Sequence, residues 1–482
     1  MVVCPCVVCR IIHLHIALDD IHEHIKNDTM KTYAHLILGT GQATGTLLAR
    51  LIPTGESIAV IEGGSIGGSC VNFGCTPTKT LVASAWAVHN ARRGQEFGFE
   101  AGDITIDFDR IRQRMNDIRY GATTGLKNWM QKTENVTLYQ SWGAFTGPKT
   151  IRAGEEEVTA DNIYINTGTR AVAPPIPGID DVPWLDSGGV LDLESLPDHL
   201  VVIGGGYIGV EFSQIFRRFG SKVTLLQRDP QLMPNEDQDV AEAIREILEK
   251  EGVDVHLNAD TEHVSGDDSG VEIKLKSGYV IQGSHLLMAA GRRPNSDTID
   301  PEQAGLTLDN RGFISVDDYC RTGTDGVFAI GDVNGRGAFT HTSVNDAEVV
   351  LDYLFGGDRT ISQRHTIYGL FTDPPLGRVG LTEKQALDEG RNVLKAVRPM
   401  SKINRAKEMG ETQGFVKILV DGDTDQFIGA SVLGPGGDEI INMFAVMIHS
   451  QIPCREYRKA VMVHPTVSEL MPWTLDNLEK AE

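Results

Sequence analysis

Residues 199–220 read HLVVIGGGYIGVEFSQIFRRFG: an apolar run, then Gly204, Gly206 and Gly209 at G-x-G-x-x-G spacing, then a run of helical period. Buried strand, tight turn and helix in that order open a dinucleotide-binding βαβ unit. The glycines let the backbone approach a pyrophosphate at the helix N-terminus, where unpaired N–H groups attract anions. The next strand, KVTLLQ, ends at Gln227, with Arg228 beside it.

Upstream, YAHLILGTGQATGTLLARL (33–51) repeats the pattern, and SIAVIE ends its second strand at Glu62. Gly39 and Gly41 are in place, while Thr44 stands at the third glycine position. From Gly39 to Glu62 is 23 residues, as is Gly204 to Gln227. Each copy is followed by a related element, IYINTGTRAVAPPIPG holding Gly168 and LLMAAGRRPN holding Gly291. Two nucleotide-binding modules in one chain therefore follow from the repeat itself. VAPPIPGIDDVP, rich in proline, marks the crossing between them. Past the second module, GVFAIGDVNGRGAF runs a strand into Gly331-Asp332 and HTSVNDAEVVLDYLF has the period of a helix. Beyond about Thr366, strand-like runs and the apolar helix EIINMFAVMIHSQI predict a separate C-terminal α+β domain.

The 482 residues fit about three domains, or two large ones. With 66 acidic against 44 basic side chains the formal charge is −22, which repels phosphate backbones and argues against a nucleic-acid partner. No apolar run reaches the roughly 18 residues of a spanning helix, so no membrane partner is expected. Seven cysteines are too few for a disulfide scaffold, which points to a cytoplasmic protein. Residues 1–29, with Cys4, Cys6, Cys9 and several histidines, read as a disordered extension ahead of Met30.

The chemistry centres on GGSIGGSCVNFGCTPTKTLVASAWAVHNARR (63–93). Gly74 allows a tight loop between Cys70 and Cys75. Thr76 is expected to cap a helix, with Pro77 at its first position, running to about Arg92. A helix N-terminus and the nearby Lys79 both favour a thiolate at Cys75. A structural disulfide and a zinc half-site are the competing readings. Zinc needs a second ligand pair at similar spacing, found only in the N-terminal extension, so no metal site is assigned.

With C-x4-C-x-P-x-K between the two glycine turns, then G-D, then His464-Pro-Thr-x-x-Glu469, the chain resembles the FAD-dependent pyridine nucleotide–disulfide oxidoreductases over residues 30 to about 475. GGSCVNFGCTPTK and AIGDVNGRGAFTH are most similar to the mercuric-reductase-like and dihydrolipoamide dehydrogenase group. The resemblance implies an α/β fold of two Rossmann-like domains, for FAD and NAD(P), plus an α+β dimerisation domain. Its boundaries would be 30–180 and 290–360 for FAD, 181–289 for NAD(P) and 361–482 for the homodimer. Gly39, Gly41, Glu62 and Gly168 would serve FAD, with Asp332 on its ribitol and the helix starting near His341 aimed at the flavin. Gly204, Gly206, Gly209 and Gly291 would serve the nicotinamide cofactor. An acidic residue in place of Gln227 would chelate the NADH ribose, so Gln227 and Arg228 predict NADPH over NADH. Lys79 would lie near the flavin paired with Glu211, and Tyr207 would cover the nicotinamide pocket. Cys75 would be the sulfur nearer the flavin, Cys70 the one that exchanges with substrate, and His464 with Glu469 the acid/base pair lent across the dimer.

Mercuric reductases and the high-molecular-weight thioredoxin reductases use a C-terminal cysteine pair, whereas this chain has no cysteine after Cys454 and keeps His464. The expected acceptor is therefore a small-molecule or protein disulfide. A metal-ion reductase using Cys4, Cys6 and Cys9, and a redox sensor with little turnover, are the alternatives.

Overall fold

In the computed structural model, which describes residues 30–481, both glycine turns are built from the same hydrogen bonds. Strand Lys31–Leu38 lies parallel to Ile58–Ile61 and to Glu156–Ile165; Gly39 N–H then donates to Ile61 O, and Asn166 N–H to Leu38 O. Strand His199–Ile203 lies parallel to Lys222–Leu226 and His285–Met288; Gly204 N–H donates to Leu226 O, and Ala289 N–H to Ile203 O. The apolar runs fill these strands because a parallel sheet covered on both faces buries every side chain of a central strand. Leu36, Ile37, Leu200, Val201 and Val202 are all fully buried.

Residues 30–70, Ala122–Arg170 and Arg293–Ser362 form one unit, around a seven-stranded mixed sheet. Its helix Ala43–Leu51 buries Leu47, Leu48 and Leu51 beside Val349 and Val350 of helix Thr340–Phe355. The helix expected near His341 begins one residue earlier, at Thr340.

Residues 71–121, Ala171–Arg292 and 363–481 form the second unit. It holds a five-stranded parallel sheet, a three-stranded antiparallel sheet and a six-stranded antiparallel sheet. Contacts thus group residues 71–121 with the second module, where motif spacing groups them with the first. The expected C-terminal α+β domain is the six-stranded sheet with helix Gly437–His449 packed on it. A Cβ on Gly377 would sit 2.1 Å from Gly437 O, so only glycine allows the helix this close. Among the described residues no helix is long and apolar enough to cross a membrane.

A buried charged cluster inside this unit has a pH signature. The Glu236 carboxylate accepts from Tyr368 Oη and lies 3.5 Å from Arg378 Nε, with both side chains of the ion pair almost wholly buried. Nearby, the buried Lys417 ammonium meets Asp237, Asp239 and Glu383 at 2.8–3.1 Å. Burial outweighs the attraction of Arg378 and pushes the Glu236 carboxyl up to about 7. A carboxyl raised on folding contributes stability below its unfolded pKa and loses it as pH rises through the folded one. Wild-type stability should therefore fall by about 3 kcal/mol more than that of Glu236→Gln between pH 4.5 and 7.5. Denaturant titrations of both proteins across that range check this; parallel curves would show that folding does not raise the Glu236 carboxyl.

Candidate active site

The first glycine turn is shaped for a group that needs bare backbone. Gly39 has φ 95°, and a Cβ there would stand 2.4 Å from Asn166 O. A Cβ on Gly41 would meet the Asn166 amide at 2.9 Å. Thr44, where a third glycine was looked for, is accommodated: its Oγ1 donates to Gly39 O and accepts from Asn166 Nδ2. At the matching place in the second turn, a Cβ on Gly209 would fall 1.9 Å from Gly204 O, so there the glycine is obligatory. Glu62 Oε2 accepts from Thr40 N–H at 2.8 Å and from Thr40 Oγ1 at 2.6 Å, and its Oε1 accepts from Gly64 N–H at 2.7 Å. These three bonds fix the carboxylate at the end of the strand, beside the glycine turn.

In the same unit, Gly331 (φ 72°) and Asp332 form a short 3₁₀ turn after strand Val327–Ala329. Asp332 Oδ2 accepts from Thr169 Oγ1 at 2.9 Å, one residue beyond Gly168, itself at φ 65°. The buried Asp346 holds the turn from behind, accepting from Gly331 N–H and Asn334 Nδ2. Sequence reading missed Asp346 and Asn166, whose partners lie 12–15 and 122 positions away in the chain.

The second turn copies the first with one change. Gly205 N–H donates to Gln227 Oε1 at 2.9 Å, as Thr40 N–H does to Glu62. Gln227 is buried, and its Nε2 donates to Asp229 Oδ2. Arg228 projects outward, 77% exposed, with Nε 3.8 Å from Asp229 Oδ1. Asp229, which sequence reading passed over, places a negative charge beside the single arginine. A Cβ on Gly206 would meet nothing, which leaves the turn open to a ligand. Tyr207 is the first residue of helix Tyr207–Phe219, and Gly291 O accepts from Val172 N–H.

Cys70 is half-buried in the short helix Gly68–Asn72, and the exposed Cys75 opens helix Cys75–Arg92. The cap is Gly74 and not Thr76; the helix starts at Cys75, two residues before the first position that a Thr76 cap implied, and Pro77 falls in its third position. Proline is tolerated there because the first four helical N–H groups have no intrahelical acceptor. The shift puts Cys75 itself on the first turn, where the helix dipole favours a thiolate. One turn on, Lys79 Nζ donates to the buried Glu211 Oε2 at 2.6 Å, joining positions 132 residues apart. Glu211 Oε1 accepts from Phe371 N–H, and the Lys79 ammonium lies 4.6 Å from the Phe371 ring centroid. In the C-terminal domain, His464 Nδ1 bonds Glu469 Oε2 at 2.7 Å. The imidazole is 74% exposed and the carboxylate 10%, so the acid is fixed and the ring presents Nε2 outward.

Two dinucleotide turns, a cysteine pair with a paired lysine, and a carboxylate-oriented histidine define an FAD-dependent NAD(P)H–disulfide oxidoreductase. The chain belongs to the pyridine nucleotide-disulphide oxidoreductases: that family's model matches residues 33–347 and its dimerisation-domain model residues 367–475. It is 36% identical over 449 residues to the probable pyridine nucleotide-disulfide oxidoreductase RclA of Escherichia coli, covering 91% of this chain and 98% of that protein. A solved Cu(II) complex of that HOCl-induced flavoprotein disulfide reductase superposes with a TM-score of 0.85 at 35% identity, over 93% of this chain and 99% of the other. A mercuric reductase of Bacillus cereus is 30% identical, covering 91% of this chain and 70% of its own length.

Proposed function

We propose that this chain carries electrons from NADPH through FAD to Cys70 and Cys75, and from them to a disulfide-type acceptor, working as a cytoplasmic homodimer. The Lys79–Glu211 pair, one turn along the helix that Cys75 opens, carries this reading, because a buried carboxylate holding an ammonium beside a reactive sulfur serves redox chemistry. Residues 30–180 and 290–360 hold FAD, 181–289 hold the nicotinamide cofactor and 361–482 dimerise; residues 1–29 lie outside the described residues. Gly39, Gly41, Glu62, Gly168 and Asp332 fit FAD, while Gly204, Gly206, Gly209, Gln227, Arg228 and Gly291 fit NADPH, with Tyr207 over its nicotinamide. FAD, when bound, relays an electron pair between nicotinamide and sulfur.

The chain's own residues do the rest. Two electrons and two protons open the Cys70–Cys75 disulfide. The Cys70 thiolate attacks one acceptor sulfur, and His464, oriented by Glu469, protonates the departing thiolate. Cys75 then displaces the second thiolate by closing on Cys70. A second reading, metal-ion reduction, is favoured by one observation: a relative of this chain was solved with Cu(II). Cys4, Cys6 and Cys9, which that reading would use, lie outside the described residues. Steady-state NADPH oxidation with glutathione disulfide, lipoamide, coenzyme A disulfide, Hg(II) and Cu(II) in turn decides between them. Turnover with a disulfide supports the first reading, turnover with metal alone the second, and none with any points to a sensor.

The nicotinamide preference rests on Arg228 alone, with Asp229 opposing it. Arg228→Ala should lower the ratio of kcat/KM for NADPH over NADH by about tenfold, the loss of one charge-assisted hydrogen bond. Asp229→Asn should raise it. Initial rates with both cofactors test this, and an unchanged ratio in Arg228→Ala would place 2′-phosphate recognition elsewhere.

A further inference from the structure

Phe371 follows directly on strand Ile367–Leu370, and residues 371–373 are fastened to one face of helix Tyr207–Phe219. Glu211 Oε1 accepts from Phe371 N–H at 2.9 Å. Gln214 Oε1 accepts from Asp373 N–H at 2.8 Å, and its Nε2 donates to Asp373 O at 3.0 Å. Arg218 Nη1 donates to Asp373 Oδ2 at 2.8 Å and its other nitrogens to Glu251. Glu211, Gln214 and Arg218 are three and four positions apart, hence on one helix face, and all are buried. Three buried polar side chains serving so short a segment fix where its backbone runs. What that segment delivers is an aromatic ring 4.6 Å from the Lys79 ammonium.

Lys79 has a flexible four-carbon stem, and a single carboxylate leaves much of its rotamer freedom unrestrained. An aromatic face on a second side restricts the ammonium further, because the ring's negative face attracts the cation. We propose that Phe371 is a positioning residue: with Glu211 it forms a two-walled seat for Lys79, held in register by the Gln214–Arg218–Asp373 strap. This deepens the function proposed above and rests on it for the role of Lys79 beside the flavin.

The test compares wild type, Phe371→Leu, Phe371→Tyr and Asp373→Asn as FAD-loaded enzymes. Two readouts are taken: anaerobic flavin reduction by NADPH in rapid mixing, and the rate at which an N-hydroxysuccinimide acetate acylates Lys79, followed by peptide mass spectrometry. Phe371→Leu keeps the bulk and loses the ring's charge distribution. It should slow reduction by about 3- to 30-fold without raising the NADPH concentration needed for half-saturation, and should speed Lys79 acylation. Phe371→Tyr should restore both. Asp373→Asn, which leaves the ring intact but weakens the strap, should shift both in the direction of Phe371→Leu by less. Equal acylation and reduction in wild type and Phe371→Leu would overturn the assignment, as would a Phe371→Tyr that behaves like Phe371→Leu. If Phe371→Leu does not fold, the Asp373→Asn and Phe371→Tyr acylation rates decide alone. A wild type that neither nicotinamide reduces would refute the proposed function, and the acylation comparison would still decide on Phe371.

Discussion

Cys70→Ser should abolish disulfide turnover yet display a long-wavelength charge-transfer band, while Cys75→Ser should be equally inactive and lack it. The asymmetry follows from where each sulfur sits. Cys75 is the first residue of an 18-residue helix, so the unpaired N–H groups of the first turn favour its thiolate. Lys79, one turn on, adds a positive charge. A thiolate stabilised in this way persists when its partner is removed, and against oxidised flavin it donates charge that absorbs in the red. Cys70 sits in the five-residue helix Gly68–Asn72, with no comparable run of N–H groups. It should be the attacking thiol and should bind the acceptor. Anaerobic titration of both variants, with spectra recorded into the red, checks the order. A band that survives in Cys75→Ser and vanishes in Cys70→Ser would reverse the two roles.

His464→Ala should leave flavin reduction by NADPH intact and slow transfer to the acceptor by roughly 10²–10⁴-fold, the usual contribution of a positioned acid/base group. The ring is tied to Glu469 through Nδ1 and is largely exposed, so an oriented imidazole is presented to whatever docks against it. Glu469→Gln should fall between wild type and His464→Ala, because it keeps a hydrogen-bond partner but loses the carboxylate that stabilises the imidazolium. Mixing the two inactive proteins, Cys70→Ser and His464→Ala, tests whether the histidine acts across the dimer. If it does, half the dimers after exchange are mixed and each has one intact site, so turnover should recover to about a quarter of wild type. No recovery after verified subunit exchange would place His464 and Cys70 in one subunit's site.

The two dinucleotide modules were legible because their information is local. First glycine and strand-end side chain are 23 residues apart with the leading strand directly ahead, and backbone sterics alone require glycine at Gly39, Gly204 and Gly209. The internal repeat also made Glu62 and Gln227 legible as a matched pair, and they prove to accept the same loop N–H. Spacing likewise singled out Cys70, Cys75 and the His464–Glu469 pair, five residues apart. The start of the cysteine helix was misjudged by two residues, since a threonine followed by proline resembles a cap even where a glycine ahead of it already ends the loop.

By itself, then, the sequence determined the class of fold, the two nucleotide turns and the sulfur pair, all features whose groups are neighbours along the chain. Only the tertiary structure decided the partners that meet from afar. Asp346 reaches back to Gly331, Asn166 closes on Thr44, Phe371 joins Lys79 and Glu211, and Glu236 is buried against Arg378 and Tyr368. Each of these is an ordinary residue type with no spacing to mark it. Its role comes from desolvation and from hydrogen-bond geometry, and both exist only once the separate segments are packed together, 15 residues apart for Asp346 and Gly331 and more than a hundred apart for the others.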